Sequence, residues 1–373
     1  MTMSLIRTFH PVGQGAFYTE RHIFNRTEFT VVYDCGSITL NRQELEKKIK
    51  STFPKKYPID ILFISHFHAD HINGIEILAE HCKIKKVVIP LIDDTAKILL
   101  KVTNLLEYNY SDTSLIDDPQ VFFGDNVQII GIQPTESKLN NDGIILLDKP
   151  ADISNIISSS NYPSGTVFIP LAGIRWFFIP FNYEHNKRKK QFEDALKIYG
   201  LTFADIDNIS KIKQNKDDVI NAYKSVKGDL NKNSMILYSG KKSYDYVHCF
   251  NCFNCFNHFH PLYFHRHFHL KLQSGCLYMG DIDLNEPNIV ADINAKLSQV
   301  LKFIGTLQVP HHGSVHNFTT SILQRNTSCA IFSFGTSNAY GHPSARVIGD
   351  VVANNIYPHF VTEDPTSIVI QWK

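Results

Sequence analysis

The chain has 373 residues, of which 43% are hydrophobic and 20% charged, a composition typical of a globular protein with a full core and not of a disordered chain. Lys and Arg number 37 against 36 Asp and Glu, so any nucleic-acid contact must be local because no overall positive charge indicates it. No apolar run reaches the roughly eighteen residues of a membrane span, residues 1–12 lack a signal-like apolar core, and an odd number of cysteines does not fit a secreted disulfide framework. We therefore expect a cytoplasmic, reduced protein with no membrane partner.

The first part of the chain predicts strands that alternate with helices. Residues 29–33 form a β-branched and aromatic run, typical of a strand, that ends at a glycine-containing turn. A charged helix is predicted over residues 42–50, and an apolar strand over residues 59–64. Apolar residues at helical spacing then predict a helix over residues 71–81, and residues 87–89 predict the next buried strand.

The rest of the chain is less regular. Residues 112–161 are rich in Asp, Asn, Ser and Pro, which indicates an irregular connection. Residues 188–227 are lysine-rich with helical periodicity, and we interpret them as an inserted helical subregion. A helix is predicted over residues 293–303, and strands are predicted over residues 127–132, 174–179, 235–238, 276–279 and 307–309. Repeated strands with helices between them, in two halves, predict two sheets covered by outer helices.

The strongest functional signal directly follows the strand at residues 59–64. Here the chain reads Ser65-His66-Phe67-His68-Ala69-Asp70-His71. Alternate residues after a strand place the first two imidazoles on one side of the loop. Imidazole nitrogen and carboxylate oxygen suit zinc, and also manganese or iron. Ordinary surface histidines near a turn are the alternative, but four ligand-type residues within six favour a metal site.

These residues resemble the His-x-His-x-Asp-His signature of the metallo-β-lactamase superfamily. Further motifs are similar to the metallo-β-lactamase domain of the competence protein ComEC and its relatives: Val12-Gly13-Gln14-Gly15, Tyr33-Asp34-Cys35-Gly36, Asn233-Ser234-Met235-Ile236-Leu237, Met279-Gly280-Asp281, Pro310-His311-His312-Gly313-Ser314, Ser333-Phe334-Gly335 and Tyr340-Gly341-His342-Pro343. The resemblance implies an α/β fold, the αββα metallo-β-lactamase sandwich, with residues 1–373 as a single domain that carries insertions at about residues 186–230 and 241–270.

The resemblance also implies two divalent metal ions, with zinc as the first expectation and manganese as the second. It assigns His66 and His68 to one ion, Asp70 and His71 to the other, Asp281 to a bridging position, and one of His311 and His312 to complete the set. Of the paired histidines we favour His312, while the other would donate a hydrogen bond to a neighbouring carboxylate or carbonyl.

Three more residues have two interpretations each. His342, between a flexible glycine and a proline, would stabilise an oxyanion or protonate a leaving group, or else make a structural hydrogen bond. His185 is the best candidate for a further ligand, or else a surface histidine beside a basic helix. Asp34, at the end of a strand, would accept hydrogen bonds from the loop or from a ligand imidazole, or else be an ordinary turn aspartate.

Two segments stand outside the resemblance. Residues 248–269 repeat a Cys-Phe-Asn triplet and continue with several histidines, so they either bind a further, structural zinc or form a low-complexity insertion. The run Lys187-Arg188-Lys189-Lys190 is the clearest basic segment, and it is either a phosphate-contacting track or a solvated helix face.

The sequence therefore predicts a metal-dependent hydrolase, with a phosphodiesterase acting on DNA or another nucleic acid as the first hypothesis. In that hypothesis Asp70 orients the attacking water while it binds metal. Two alternatives stay open: a hydrolase of a small ester, lactone or phosphodiester, which needs a closed pocket, and a non-catalytic metal-binding sensor or scaffold. Because the chain lacks the membrane segments of ComEC itself, a competence role does not carry over.

Overall fold

Two large β-sheets face each other in the structure, a computed structural model that describes residues 3–25, 27–135, 150–184, 187–226, 234–251 and 270–373. The strands are β1 (Met3–Phe9), β2 (Gly15–Phe24), β3 (Thr27–Ser37), β4 (Pro58–Ile59), β5 (Ile61–Phe63), β6 (Lys83–Ile84), β7 (Lys86–Pro90), β8 (Gln128–Ile132), β9 (Ala151–Asp152), β10 (Ser160–Tyr162), β11 (Phe168–Ile169), β12 (Phe177–Tyr183), β13 (Ser234–Gly240), β14 (Tyr246–Asn251), β15 (Leu270–Gln273), β16 (Gly275–Tyr278), β17 (Ile304–Gln308), β18 (Cys329–Ser333), β19 (Tyr357–Val361) and β20 (Val369–Trp372).

Helices cover the outer faces of the sheets. They are α1 (Arg42–Thr52), α2 (Ala69–Ile72), α3 (Ile75–His81), α4 (Asp94–Tyr108), α5 (Ser114–Asp117), α6 (Pro119–Phe123), α7 (Lys187–Ile198), α8 (Ile209–Gln214), α9 (Lys216–Ser225), α10 (Ile289–Lys296) and α11 (Ala345–Ala353). The sequence explains where α1 begins, because Asn41 and Glu44 form a reciprocal capping box that satisfies two otherwise unpaired backbone N–H groups. Within the described ranges, every helix falls short of the length or apolarity that a transmembrane span requires.

Each sheet contains a block of parallel strands. The first sheet has the order β10-β8-β7-β5-β3-β2-β1-β20-β14-β15, and its strands β3, β5, β7 and β8 are parallel. The second sheet has the order β19-β18-β17-β16-β13-β12-β11-β9, and its strands β16 to β19 are parallel. Because parallel strands end at the same edge of a sheet, residues that follow β5, β16 and β17 can meet at one end of the sandwich.

Three apolar layers hold the sandwich together. Between the sheets, Tyr33 of β3 stacks on Tyr278 of β16 with ring centroids 4.8 Å apart, a contact worth about 0.5–1.5 kcal/mol beyond area burial. Outside the first sheet, Leu45 of α1 packs in a cluster with Val87. Outside the second sheet, α10 and α11 pack in the same way. This arrangement is the predicted αββα sandwich of the metallo-β-lactamase fold.

The predicted helical subregion is present and has its own small core. Helices α7, α8 and α9 bury Phe192, Leu196 and Ile212 together with Leu99 and Val102 of α4. The lysine-rich surface and the apolar stripe therefore belong to the same helices, as expected for amphipathic helices that pack on one face.

Two of the predicted helices have different bounds in the structure. The helix expected over residues 71–81 is interrupted between α2 and α3, because the Gly74 N–H donates to the Cys35 carbonyl at 2.9 Å and a Cβ on Gly74 would lie 2.9 Å from that oxygen. The helix expected over residues 293–303 begins earlier and ends at Lys296, and only a short 3₁₀ turn follows at Leu301–Phe303.

Strand positions also sharpen two expectations. The strand expected over residues 174–179 begins only at Phe177, where pairing with β13 starts. The preceding Trp176 is buried and donates its indole N–H to Ser239 Oγ at 2.9 Å. Residues 246–251, within the segment interpreted as an insertion, form β14, which pairs with β20 in the first sheet. Strands β13 and β16 on either side of that segment are antiparallel partners.

Candidate metal centre

The predicted ligand residues converge where strands of both sheets end. The loop from His66 to His71 follows β5, while Asp281 follows β16 and His312 follows β17. With His312 as its last member, the implied ligand set has four histidines and two aspartates, and all six are almost completely buried. The alternative, His311, is less buried. Charged and polar groups at such depth require compensating partners, so their grouping needs a chemical explanation.

The backbone of the histidine loop is fixed by contacts from two neighbouring elements. Asn104 of α4 accepts a hydrogen bond from the Ala69 N–H at 3.0 Å and donates one to the Phe67 carbonyl at 2.9 Å. On the other side, Gly36 lies so close that a Cβ there would be 2.5 Å from the Asp70 carbonyl oxygen. Any larger side chain at position 36 would displace the loop, which accounts for one glycine of the sequence motifs.

Asp34 and Ser65 set the tautomers of two imidazoles of the cluster. A carboxylate only accepts hydrogen bonds, so His71 Nδ1, 2.8 Å from Asp34 Oδ2, carries the hydrogen. The Ser65 hydroxyl also donates to Asp34 Oδ2, at 2.7 Å, and therefore accepts from His66 Nδ1 at 2.8 Å. The Nε2 atoms of both imidazoles then face the cluster, as they would where an outer hydrogen bond orients a metal-binding histidine.

The second half of the chain presents its residues from two tight turns. Gln308 Oε1 accepts from the backbone N–H groups of Met279 and Gly280, at 2.7 and 2.8 Å, and so fixes the turn before Asp281. His312 has a left-handed backbone, with φ of 56°, which is unfavourable for a residue with a Cβ. Its Nδ1 donates to the Ser333 carbonyl at 2.8 Å, and its Nε2 therefore faces the centre.

The donor atoms form two groups that share one carboxylate. His66, His68 and Asp70 make the first group, and Asp70, His71, Asp281 and His312 make the second, with the ligand atoms of each group within 4.8 Å of one another. Asp281 also approaches the first group, because its Oδ2 lies 3.6 Å from His66 Nε2. Asp70 Oδ2 lies 3.0 Å from His312 Nε2.

The donor set fits a metal centre. Nε2 of His66, Nε2 of His71 and one carboxylate oxygen each of Asp70 and Asp281 are buried with no hydrogen-bond partner among the described residues. His71 Nε2 lies only 3.2 Å from Asp281 Oδ1, so the atoms crowd one small volume without satisfying each other. Nitrogen and carboxylate donors in this grouping are ligands of divalent ions such as zinc. The cluster can therefore bind metal ions.

Electrostatics within the cluster favour ionised carboxylates. Burial alone would raise the pKa of Asp70 and of Asp281, but the neighbouring imidazoles, His71 first, hold both pKa values well below their usual range. Conversely, the carboxylates of Asp281 and Asp70 outweigh burial and raise the pKa of His71. Two ionised carboxylates thus lie at a depth where each needs a positively charged partner.

The two paired histidines occupy different positions. His312 is buried and approaches Asp70, whereas the His311 side chain is 23% exposed and its Nε2 lies 4.0 Å from Asp281 Oδ2. His311 instead neighbours His342, with ring centroids 5.5 Å apart. The geometry favours His312 as the ligand and puts His311 at the outer side of the centre.

His342 lies beside the cluster and is held by its own loop. Asn338 accepts from the His342 N–H at 3.0 Å and donates to its carbonyl at 2.6 Å. Burial, followed by the imidazoles of His311 and His312, lowers the pKa of His342 from 6.5 to about 4. A neutral imidazole can donate a hydrogen bond from one nitrogen, but it is a poor source of a full proton at neutral pH. His185 lies outside the described residues.

Sequence reasoning did not assign the supporting residues Ser65, Asn104, Gln308 and Ser333. Ser65 stands inside the quoted motif, so its position was visible but its partner was not. Asn104 carried a usable signal, because a polar side chain on the apolar face of a helix must find a buried partner. Ser333 contributes a backbone carbonyl, which no side-chain pattern reveals.

Fold and site together define a metallo-β-lactamase-fold protein with a His/Asp cluster suited to metal binding. The family model described as the Metallo-beta-lactamase superfamily matches residues 23–127, a segment that includes the histidine loop and Asp34. This match supports membership of that superfamily, whose members are generally hydrolases. No curated protein matches the chain.

Solved structures with a related architecture share little sequence with this chain. The metallo-beta-lactamase fold protein YhfI from Bacillus subtilis is 8% identical, with 96% of this chain and 97% of that chain covered and a TM-score of 0.39. Unliganded yeast PDE1 is 10% identical, with 99% of each chain covered and a TM-score of 0.40. A long form RNase Z from yeast is 9% identical, with 82% of this chain and 32% of that chain covered and a TM-score of 0.32. Likeness at this level says nothing about the substrate.

Proposed function

We propose that the protein hydrolyses phosphodiester bonds in nucleic acid, with two divalent ions bound by the His/Asp cluster. The observation that carries the proposal is the pair of donor groups that share Asp70, with Asp281 within reach of both. Paired metal sites that share carboxylates suit in-line displacement at phosphorus, because charge on the attacking and leaving oxygens needs neutralising together. When bound, the ions supply Lewis acidity at the phosphate and lower the pKa of water to about 7.

The residues of the chain would contribute orientation and hydrogen bonding. Asp70, between the two donor groups, would accept a hydrogen bond from the attacking water and aim it at phosphorus. His342, kept neutral by its lowered pKa of about 4, would donate a hydrogen bond to a phosphate oxygen and hold it against the centre. Asp34 and Ser65 would keep the Nε2 atoms of the ligand imidazoles available throughout turnover.

Aromatic residues beside the cluster support a nucleic acid as the substrate. Tyr340 is 50% exposed and stacks on His342, with ring centroids 5.8 Å apart. Tyr108, at the end of α4, lies 5.9 Å from His68 by the same measure. An exposed aromatic face next to a phosphate-binding centre can stack on a base of any identity. Since bases in a duplex are already stacked, we expect single-stranded ends or loops to be preferred.

The basic run at the start of α7 gives weaker support. Lys189, the first residue of that run whose side chain the structure describes, forms an ion pair with Asp93 at the N-terminus of α4. That cation is partly neutralised within the protein, so it adds little to a phosphate track. Aromatic stacking and the metal centre, more than a basic groove, therefore carry the proposal.

The decisive experiment is cleavage of labelled linear and circular DNA, single- and double-stranded, by protein loaded with Zn²⁺ or Mn²⁺. Asp70→Asn is the blank, and Asp217→Asn, the same chemical change on the exposed face of α9, is the matched control. We expect metal-dependent cleavage that Asp70→Asn abolishes and Asp217→Asn retains, with single strands cut faster than duplexes. Sparing of circles would define an exonuclease.

The same assay separates the alternatives. Failure to cut any DNA or RNA, together with metal-dependent hydrolysis of a small ester or lactone, would overturn the nucleic-acid proposal in favour of a small-substrate hydrolase. A protein that binds metal stoichiometrically but hydrolyses none of these substrates would overturn the enzymatic proposal altogether. Tyr340→Ala should slow cleavage of DNA more than that of a small chromogenic phosphodiester, because only DNA offers a base to stack.

A further inference from the structure

A second group of metal-ligand residues lies between the sheets, away from the His/Asp cluster. Cys249 comes from β14 of the first sheet, whereas Cys329 begins β18 and His359 lies in β19, both in the second sheet. All three are buried, and their ligand atoms lie within 4.8 Å of one another. Cys329 precedes Ser333, the residue that holds His312, by four positions, which at about 3.3 Å per strand residue is roughly 13 Å.

The spacing of one sulfur and the imidazole nitrogen suits a zinc ion. Cys249 Sγ lies 3.7 Å from His359 Nε2. A zinc ion with bonds of about 2.3 Å to sulfur and about 2.1 Å to nitrogen would hold those two atoms about 3.6 Å apart. The two side chains therefore need almost no movement to share an ion.

One side-chain amide lies beside both sulfurs. The Gln371 amide nitrogen lies 3.9 Å from Cys249 Sγ and 3.7 Å from Cys329 Sγ, so the N–H that is not bonded to Thr306 lies near both sulfurs. This amide cannot turn round, because its oxygen accepts from Arg7 at 2.9 Å and its nitrogen donates to Thr306 Oγ1 at 2.8 Å. Buried thiols in a purely apolar setting would show none of these donors.

We propose that Cys249, Cys329 and His359 bind a thiophilic divalent cation, Zn²⁺, at a structural site that ties the two sheets together. Two thiolates balance the charge of one Zn²⁺, so the filled site is neutral, as a buried position requires. Binding releases the two thiol protons to solvent and changes no oxidation state. The site joins the β14–β15 edge of the first sheet to the β18–β19 edge of the second.

This site explains part of the Cys/His stretch in the sequence. Cys249 is the first cysteine of the repeated Cys-Phe-Asn triplet, and the residues from 252 to 269 lie outside the described residues. The other two proposed ligands, Cys329 and His359, lie on strands far along the chain, so their spacing in the sequence does not predict the site. The proposal does not depend on the function of the His/Asp cluster, because the two sites share no residue.

The test is the absorption spectrum of the reduced, full-length protein loaded with Co²⁺. Among the ligand candidates of the His/Asp cluster none is a cysteine, so a thiolate-to-Co²⁺ charge-transfer band in the near ultraviolet reports only a sulfur-containing site. We expect the band in the wild type and in Asp70→Asn, its loss in Cys249→Ser and in Cys329→Ser, and a weaker band in His359→Gln. Cys82→Ser, a buried cysteine on the outer side of the first sheet, is the matched control and should keep the band.

Several outcomes would overturn the proposal. One is a wild-type protein that takes up Co²⁺ at the His/Asp cluster without any charge-transfer band. Another is a band that survives in Cys329→Ser, because the sulfur would then belong to the repeated triplets alone. If the serine variants fail to fold, zinc X-ray absorption of the wild type decides instead: sulfur at about 2.3 Å supports the site, and nitrogen and oxygen neighbours alone exclude it.

Discussion

The two halves of the chain supply the His/Asp cluster in different ways. The first half contributes His66, His68, Asp70 and His71 from one loop, which Asp34 and Asn104 hold from either side. The second half contributes Asp281 and His312 from the ends of two separate strands, each in a backbone turn fixed by its own partners. The candidate ligands of the first half can be identified from their spacing in one loop, whereas those of the second half could be assigned only through the resemblance to a known family. The family match, confined to residues 23–127, follows the same division.

The sharpest test of this comparison is to remove one carboxylate from each half. Asp70→Asn and Asp281→Asn should each reduce metal-dependent hydrolysis on the order of 10³-fold or more, because each takes a charged ligand from a shared centre. The rate should be measured at saturating metal, and bound metal should be counted for each variant. The double variant should be scarcely worse than either single one, since the residues act as a unit.

A large difference between the two variants would break the comparison. If Asp281→Asn kept most of the activity, the second half would only close the site, and the first-half loop would suffice for catalysis. Asp217→Asn, at an exposed position that is not part of the cluster, controls for any general effect of losing a carboxylate.

A smaller effect is expected from the residues that position the ligands. Asp34→Asn should lower metal affinity and activity by about 10–100-fold, because Asp34 Oδ2 contacts His71 directly and also reaches His66 through Ser65. Gln308→Leu should cost less, because Gln308 acts on Asp281 only through the backbone of its turn. Metal titration followed by activity measures both, and Gln308→Glu, which retains an acceptor oxygen, should recover part of the loss. An equal or greater loss in Gln308→Leu would contradict this ranking.

Most of the fold and the first-half ligands could be predicted because their signals are local. Apolar runs and helical periodicity can be recognised within short segments of sequence. The histidine loop carries its four candidate ligands within six consecutive residues. The break between α2 and α3 was not predicted, since it depends on the close approach of Gly74 to Cys35. The sequence already favoured His312 over His311, but only the structure shows that His312 donates to the Ser333 carbonyl. The grouping of Cys249 with Cys329 required the sheet order. These features depend on tertiary neighbours, which periodicity does not encode.

Acid stability offers a comparison that does not involve the metal ligands. Burial, with Lys48 as a lesser cause, lowers the pKa of His10 from 6.5 to about 3. His10 is therefore protonated in the unfolded chain below about pH 6.5, but in the folded chain only below about pH 3. The free energy of unfolding consequently falls as the pH drops from about 6.5 to about 3. Between pH 6.5 and 5 the loss from His10 is about 2 kcal/mol. Denaturant unfolding at both pH values measures it.

The control is a histidine of the second half. His10→Gln should remove most of the His10 contribution to the pH slope, whereas substitution of the exposed His316 by Gln should leave the slope as in the wild type. A slope unchanged by His10→Gln would mean that His10 does not differ between folded and unfolded states, and the buried first-half strands would not account for acid sensitivity.

The smallest effect is expected at the contact between the helical subregion and the first half. The ion pair of Lys189 with Asp93 is partly exposed, so Lys189→Gln should change the free energy of unfolding by at most about 1 kcal/mol. Because Asp93 already neutralises part of the Lys189 charge, Lys189→Gln should also leave the salt dependence of DNA cleavage almost unchanged. Replacing the whole run from Lys187 to Lys190 by Glu tests whether these residues contact phosphates of DNA. Loss of DNA cleavage with unchanged hydrolysis of a small phosphodiester would support such contacts. Equal loss of both activities, or no loss of either, would reject them.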